Sequence, residues 1–402
     1  MNSITSLFRN AFGGLSKAVW LLALMLFINR SGTMVLFFLS IYLTNHLHFT
    51  LGQTGVVMAL FGAGSLPGAF FGGRLVDKIG SYPVMLWSLI AGGIMFIIVG
   101  QLHGYLILSI GVFLLSAISE AFRPANMAAI SHYSTPETYT RSISLNRLAI
   151  NLGFSIGPAA GGFLAAYSYS LIFWADGLTC IAAALALLLF IKKKSHAETI
   201  KAHSVTVQKI SSPYRDKIYL FFLPVATLYA ISFFQFFSTM PLYYKQVEHL
   251  TEKQIGWILA LNGILVAAIE MIMIYKIEKR WTMYNFIALG ASLLIISYLA
   301  LLAVSGIWWL VVITVLISFS EMFALPFMNT FMNSRSDPEN KGQYASLYVM
   351  SWSVALIATP IIATQVIAHF GYETLWLVLA TFGVLVFIGI KTLERVNTKR
   401  SQ

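Results

Sequence analysis

The chain has 402 residues, of which 58% are apolar and only 10% are charged, and its formal net charge at pH 7 is +11. A water-soluble domain of this length cannot hide so large an apolar fraction in its own core, so the surrounding solvent must be lipid. The single cysteine, Cys180, excludes an internal disulfide and a thiolate metal cluster, and the eight histidines show no ligand spacing. The composition therefore predicts an integral membrane protein without a cofactor.

Twelve apolar blocks follow one another, each long enough to cross the roughly 30 Å of hydrocarbon that about 20 helical residues span. The first block carries Asn29 and Arg30, lacks a small-residue cleavage pattern and leads directly into the next block. It is therefore a retained span and not a signal peptide. The predicted spans cover residues 18–44, 52–76, 82–101, 104–130, 142–167, 170–192, 217–244, 252–275, 282–303, 306–332, 342–368 and 372–393.

Basic residues accumulate in every second loop when the N-terminus is placed in the cytoplasm. The opposite side then receives only Lys245 and Lys253. This asymmetry follows the positive-inside rule, and an even number of spans returns the C-terminus to the cytoplasm. Because the cations are spread over many short loops, the net charge does not indicate nucleic-acid binding. We expect a multi-pass protein of the bacterial cytoplasmic (inner) membrane.

The two halves of the chain are related by a shift of about 201 residues. Gln53 falls on Gln254, Gly62 on Gly263, and Ser119-Glu120 on Ser320-Glu321. Such repeats are typical of secondary transporters built from two parallel six-helix bundles, with the substrate site between the halves. The expected fold is all-α, with an N-terminal bundle over residues 1–192, a polar cytoplasmic linker over 193–216 and a C-terminal bundle over 217–402.

The loop predicted after the second span, Gly73-Arg-Leu-Val-Asp77-Lys78-Ile-Gly80, resembles the signature of the major facilitator superfamily. This resemblance covers essentially the whole chain and implies a gate latch on the cytoplasmic side. It would be formed by Gly73, Asp77, Lys78 and Gly80, with Arg141 on the same side. Ser81 and Tyr82 stand where the family has basic residues, and the alternative interpretation is a plain solvated turn.

A glycine run in the fifth span is similar to the antiporter motif of the drug:proton branch of that family. It comprises Gly153, Gly157, Pro158, Gly161 and Gly162. Small residues at this spacing let helix backbones approach closely and slide, although static packing would require the same pattern. Arg123 and Asn126 partly match the branch's fourth-span motif, in which Met127 replaces a glycine.

Charged residues inside the membrane are costly and mark functional sites. Glu120 and Arg123 are three residues apart on one helix face and can pair, which predicts either a proton-coupling device or a permanent salt bridge. Glu321 occupies the repeat-related position without an arginine three residues later. It is a second coupling candidate, or a helix–helix hydrogen-bonding group. For Glu270, coupling and simple exposure to cytoplasmic water are equally compatible with the sequence.

Arg30 and Asn29 lie centrally in the first span, in a helix that lines the cavity in this family. A fixed positive charge there suits an anionic or zwitterionic substrate, and the alternative is an ion pair with Glu120 or Glu321. Arg147 either lines the cavity or extends to the lipid headgroups. The remaining residues assigned to the substrate cavity are Asn126, Phe233, Phe237 and Trp352.

Three functions compete at this stage. The leading hypothesis is a proton-coupled antiporter that exports small amphipathic molecules by alternating access. The second is an importer or facilitator of a metabolite such as an amino acid, nucleoside or siderophore, and the third is a non-transporting nutrient sensor. The expected partners are a small-molecule substrate, protons and the lipid bilayer, for a monomer driven by the proton gradient. The sequence shows no nucleophile–base pair or phosphate-binding glycine loop, so we do not expect an enzyme.

Overall fold

The computed structural model describes residues 14–135, 138–191, 213–277, 280–336 and 341–401. Within these ranges all regular secondary structure is helical, and the predicted all-α class is confirmed. Most of the predicted linker and the pair Glu278-Lys279 lie outside the described residues.

Fourteen α-helices occupy the described ranges. Those of the first half are α1 (Lys17–Ser31), α2 (Val35–Ile41), α3 (Leu51–Ile79), α4 (Ser81–Val99), α5 (Tyr105–Glu120), α6 (Phe122–Tyr133), α7 (Tyr139–Tyr167) and α8 (Tyr169–Phe190). Those of the second half are α9 (Lys217–Ser238), α10 (Met240–Gln246), α11 (Glu252–Ile277), α12 (Met283–Ala300), α13 (Ile307–Arg335) and α14 (Lys341–Ser401).

Eleven helical stretches of the described chain are long and apolar enough to cross a membrane. Three of them join two helices each, namely α1 with α2, α5 with α6, and α9 with α10. The last stretch, Gln343–Asn397, has 55 residues. At 1.5 Å per residue it would extend about 80 Å, more than twice the hydrocarbon thickness. Gly371 interrupts it with a positive φ of 82°, so its length suffices for two crossings. Beside the eleven stretches found, the twelfth span stays a prediction.

The described residues form two compact units. The first comprises residues 1–35 and 64–204, and its core packs Leu22 and Met25 of α1 against Val84, Phe122 and Leu187. The second comprises residues 36–63 and 205–402. Within it, Phe37 of α2 meets Phe237 of α9 with ring centroids 5.3 Å apart. Residues 36–63 thus cluster with helices of the second half.

The internal repeat appears in the backbone as well as in the sequence. His48 and His249, 201 positions apart, both have positive φ values, of 55° and 53°. In each case a capping box follows: Thr50 and Gln53 exchange side-chain to backbone hydrogen bonds, and Thr251 and Gln254 do the same. The same residue types therefore start α3 and α11 in the same way.

The first span is broken between α1 and α2, and Asp176 of α8 caps the break. Its carboxylate accepts hydrogen bonds of 2.9–3.1 Å from the backbone N–H groups of Met34 and Val35, and its side chain is fully buried. Backbone groups freed by a helix break have no water to bind in the hydrocarbon layer. Gly32 lies in this break against Thr179, where a Cβ atom would come within 1.7 Å of the threonine hydroxyl.

Glycines of α3 allow close packing on α5 in the first unit. A Cβ atom at Gly64, Gly68 or Gly72 would lie 2.3, 2.4 or 2.7 Å from the nearest atom of α5 or of Ala121, which follows it. Side chains at these positions would push the two helices apart. These small residues therefore serve helix contact, as their spacing predicts.

The predicted loop over residues 73–80 is wrong in its extent. Residues 73–79 continue α3, and the turn is confined to Gly80, whose φ of 90° favours glycine. The polar residues at its end form regular helical hydrogen bonds, so the helix continues through them. The last of these bonds runs from the Gly80 N–H to the Val76 carbonyl. The Arg74 guanidinium lies 4.2 Å from the centre of the Phe70 ring, one turn earlier.

Replacement of Asp176 should destabilise the protein because two buried N–H groups lose their acceptor. For Asp176→Leu we expect a loss of about 2–5 kcal/mol, since an unsatisfied buried donor costs about 1–3 kcal/mol. Asp176→Asn keeps one acceptor oxygen and should lose less. The melting temperature of purified protein in detergent measures both.

Thr381→Val is the matched control for this test. Thr381 is exposed and its hydroxyl only bonds the carbonyl four residues earlier on α14. Its melting temperature should stay at the wild-type value. A wild-type melting temperature for Asp176→Leu would contradict the capping role.

Candidate functional site

Glu120 and Arg123 form an ion pair at the junction of α5 and α6. The Arg123 Nη1 lies 3.9 Å from the Glu120 Oε2, and the two side chains are 60% and 23% exposed. Pro124 has no N–H to donate to the Glu120 carbonyl, so the helix loses a backbone bond at this point. The pair is therefore loose and lies on a locally weakened helix, a geometry in which the partners can separate.

Arg30 occupies the last turn of α1, next to the break in the first span. Its Nε is buried without a hydrogen-bond partner, and its guanidinium carbon lies 5.9 Å from the centre of the Phe154 ring. Glu120 is the charged group that acts on it most strongly through space, followed by Arg123. The alternative of an ion pair between Arg30 and Glu120 is not found in the described structure, where the Glu120 carboxylate pairs with Arg123.

The glycine run of α7 packs on the α1 segment that carries Arg30. A Cβ atom at Gly153 would lie 2.5 Å from the Arg30 Cβ, and one at Gly157 would lie 3.3 Å from the Ser31 carbonyl oxygen. Pro158, Gly161 and Gly162 are buried in the same helix. The predicted motif thus places backbone directly against the broken first span.

Two predicted cavity residues make polar contacts inside the first unit. The Asn29 side-chain amide donates to the Cys180 Sγ at 3.3 Å, one turn from Asp176. Asn126 is buried and its amide donates to the Asn146 Oδ1 at 3.3 Å, while its own Oδ1 has no hydrogen-bond partner in the described structure. The side chain of Arg147, one residue after Asn146, is exposed.

In the second unit, Glu321 of α13 is bonded to Asn262 of α11. The Asn262 Nδ2 lies 3.0 Å from the Glu321 Oε2 and 3.0 Å from the Ser318 Oγ. Ser318 donates its own proton to the Thr314 carbonyl, so its oxygen must accept from Asn262. This orients the amide with its NH₂ group toward Glu321. The local partner that Glu321 lacks in sequence is supplied by a neighbouring helix.

The second unit also contains a buried glutamate and a cluster of aromatic side chains that the sequence assigns to the site. Glu270 is buried in α11, with 7% of its surface exposed, so simple exposure to water does not describe it. Phe233 and Phe237 meet edge to face at 5.3 Å, and Trp352 packs edge to face on Phe234 at 5.4 Å. These aromatic side chains form one connected apolar surface of α9 and α14.

The predicted gating residues remain at the surface of the first unit. Asp77 and Lys78 are exposed at the end of α3, and Arg141 is partly buried at the start of α7. Gly73 lies within α3 with open space where a side chain would be, and Gly80 makes the turn into α4. A latch formed by these residues stays a prediction.

Sequence reasoning missed Asn262 and Asn146, the amide partners of Glu321 and Asn126. Asn262 lies in an apolar stretch of α11, and Asn146 lies in α7 beside Arg147. A side-chain amide within a span must find a partner. That signal was available, but it does not name the partner. The helix contact that pairs Asn262 with Glu321 joins residues 59 positions apart.

Removal of the Asn262 amide should change the reactivity of Glu321. The amide lies 3.0 Å from the Glu321 Oε2, so Asn262→Leu removes a hydrogen-bond donor and places an apolar side chain beside the carboxyl group. Dicyclohexylcarbodiimide modifies protonated carboxyl groups in apolar surroundings, and its labelling of Glu321, followed by mass spectrometry at a fixed pH, should increase severalfold. Ser318→Ala, which removes only the group orienting the amide, should increase labelling less.

Asn329→Leu is the control, because this exposed amide of α13 bonds only to the Leu325 carbonyl of its own helix. Its labelling should match the wild type. Unchanged labelling in Asn262→Leu would show that the amide does not influence Glu321.

Gly153→Ala and Gly157→Ala should differ in their cost. The first new methyl group meets Arg30 and backbone atoms at 2.5–3.0 Å, and the second meets carbonyl oxygens at 3.3–3.4 Å. Overpacking of this kind costs about 1–3 kcal/mol, so Gly153→Ala should melt several degrees lower than Gly157→Ala in detergent. Equal melting temperatures would argue against close packing of α7 on α1.

Comparisons of the sequence with known proteins identify related chains. A sequence model of the Major Facilitator Superfamily matches residues 19–358 and 285–402. The "Na(+), Li(+), K(+)/H(+) antiporter" of Planococcus maritimus is 23% identical over 89% of this chain and 91% of its own. "Multidrug resistance protein 1" of Bacillus subtilis is 27% identical over 79% of this chain and 81% of its own.

Solved structures show the same fold. The nucleoside transporter NupG superposes with a TM-score of 0.76 at 14% identity, over 94% of this chain and 99% of its own. This likeness concerns the fold alone. The family match, which spans most of the chain, agrees with the resemblance seen in the glycine motifs. The chain belongs to the major facilitator superfamily and is a membrane transporter, not an enzyme.

Proposed function

We propose that this protein is a proton-coupled antiporter that exports small amphipathic molecules by alternating access. Its relatives include an antiporter that exchanges monovalent cations for protons and a multidrug resistance protein. Proton exchange and multidrug resistance are what the names of those proteins state, at 23% and 27% identity to this chain.

One observation carries the proposal: each unit holds a partly buried carboxylate at the repeat-related position with a removable partner. Glu120 has Arg123 at 3.9 Å, and Glu321 has Asn262 at 3.0 Å. A carboxylate in the hydrocarbon layer is ionised only while a partner stabilises it. When the partner separates during a conformational change, the carboxylate would bind a proton. When the partner returns, the carboxylate would release that proton.

The two carboxylates are not equivalent in this scheme. Glu120 pairs with a cation, so protonation of Glu120 leaves Arg123 without its counter-ion. Glu321 is bonded to a neutral amide, which can donate to the carboxylate or to the carbonyl oxygen of the acid. We therefore propose that Glu120 and Arg123 make and break their ion pair during the transport cycle, and that Glu321 carries the proton.

A second candidate function is proton-coupled import of a metabolite, which Arg30 favours. A positive charge without an ion-pair partner in the described residues suits an anionic or zwitterionic metabolite better than an organic cation. The direction of transport separates the two candidates, since export and import use the same fold.

The proposal includes the location and orientation of the protein. Its relatives are bacterial, which supports a cytoplasmic (inner) membrane, and the distribution of basic loops supports cytoplasmic termini. We propose that the protein acts there as a monomer, driven by the proton gradient without a bound cofactor.

The test uses inverted membrane vesicles with an inside-acid pH gradient, which an acid-trapped dye reports. Cationic, zwitterionic and anionic amphipathic compounds and Na⁺ are added in turn. A substrate of the antiporter should release protons from wild-type vesicles, because export from the cytoplasm is uptake into an inverted vesicle. In Glu120→Gln and Glu321→Gln this release should fall to background.

Glu373→Gln is the matched control, since this exposed carboxylate lies near the Gly371 break of α14. It should release protons as the wild type does. If no compound releases protons from vesicles that contain folded protein, proton antiport is wrong. Release in both glutamine variants would show that these carboxylates are structural.

A further inference from the structure

Arg30 is a partly buried cation that the proposed coupling scheme does not use. Its side chain forms no ion pair or hydrogen bond with the described residues, and its Nε is inaccessible to water. Its one aromatic contact, with Phe154 at 5.9 Å, is at the outer limit of cation–π attraction. The C-terminal end of α1 carries a partial negative charge that stabilises it in part. A guanidinium in the hydrocarbon layer needs more than this.

The charged side chains that act on Arg30 do not balance. Glu120 attracts it and Arg123 repels it, so two cations share one carboxylate. Because Glu120 pairs with Arg123, the local excess of one positive charge falls on Arg30. An anion bound at Arg30 would restore neutrality, whereas an organic cation would add to the repulsion.

The surroundings of Arg30 define the shape of such an anion. A guanidinium presents a planar fork of donors that fits a carboxylate with two parallel hydrogen bonds. Because Gly153 has no side chain, the α7 backbone packs against Arg30. The Phe154 ring lies beside the guanidinium. The site therefore joins a carboxylate-binding head to an aromatic wall.

We propose that Arg30 is a substrate-binding residue that anchors the carboxylate of an amphipathic anion or zwitterion, with Phe154 contacting the apolar part. This inference names the substrate class and rests on the proposed transport function. It does not depend on proton coupling, because binding at Arg30 requires no gradient.

The experiment measures binding to the purified full-length protein in detergent. The probes are 1-naphthaleneacetate, its methyl ester and 1-naphthylmethylamine, which share one ring system and carry a negative, no and a positive charge. Wild-type protein should bind the acid at least about tenfold more tightly than the ester or the amine, since a charge-assisted bidentate pair is worth about 1.5–3 kcal/mol. Microscale thermophoresis gives the three dissociation constants.

Variants assign the preference to Arg30. Arg30→Gln should weaken binding of the acid about tenfold to a hundredfold and leave that of the ester unchanged. Arg30→Lys keeps the positive charge but lacks the two parallel donors, so its dissociation constant for the acid should be intermediate. This variant also serves as a control in case the glutamine variant does not fold. Arg395→Gln removes an exposed arginine of α14 and should bind as the wild type does.

The outcomes separate this inference from the antiport proposal. Equal affinity of wild-type protein for acid and ester, including failure to bind either, overturns the role of Arg30 whatever the vesicle assay shows. An acid preference that survives in Arg30→Gln also overturns it. Acid binding through Arg30 without proton release in vesicles supports this inference and rejects antiport instead.

Discussion

Polar groups inside the hydrocarbon layer have no water to bind, so each must find its partner within the protein. The break in the first span shows how strictly this applies. It leaves two backbone N–H groups free, and the buried carboxylate of Asp176 on α8 accepts both. The break in turn places Arg30 at a helix end. The conformation of the first span therefore depends on a residue more than 140 positions away.

The same constraint gives the two units different chemistry at equivalent positions. Glu120 and Glu321 are related by the repeat, but one is paired with an arginine on its own span and the other with an amide from a neighbouring helix. Each solution satisfies a carboxylate in lipid. The repeat therefore supplies the scaffold, and side chains that differ between the halves supply the partners.

The glycines of this molecule serve mainly close helix packing, whereas the sequence predicts a glycine-dependent turn at the cytoplasmic side. Only Gly80 of the Gly73–Gly80 motif needs a positive φ, and α3 continues as far as Ile79. In α3 and α7 glycine instead removes side-chain volume, which brings α3 against α5 and α7 against Arg30. Close contact of this kind places a fixed charge beside backbone and leaves little room for its displacement.

The sequence by itself determined the membrane environment, the helical fold, the repeat and the identity of the charged residues, because each depends on local composition or on spacing within one helix. It also predicted the Glu120–Arg123 pair, whose partners are three residues apart. The tertiary structure alone decided that Asn262 bonds Glu321, that Asp176 caps the first span and that Arg30 is left without an ion pair among the described residues. These contacts join residues on different helices, and which helix faces which depends on packing over the whole bundle.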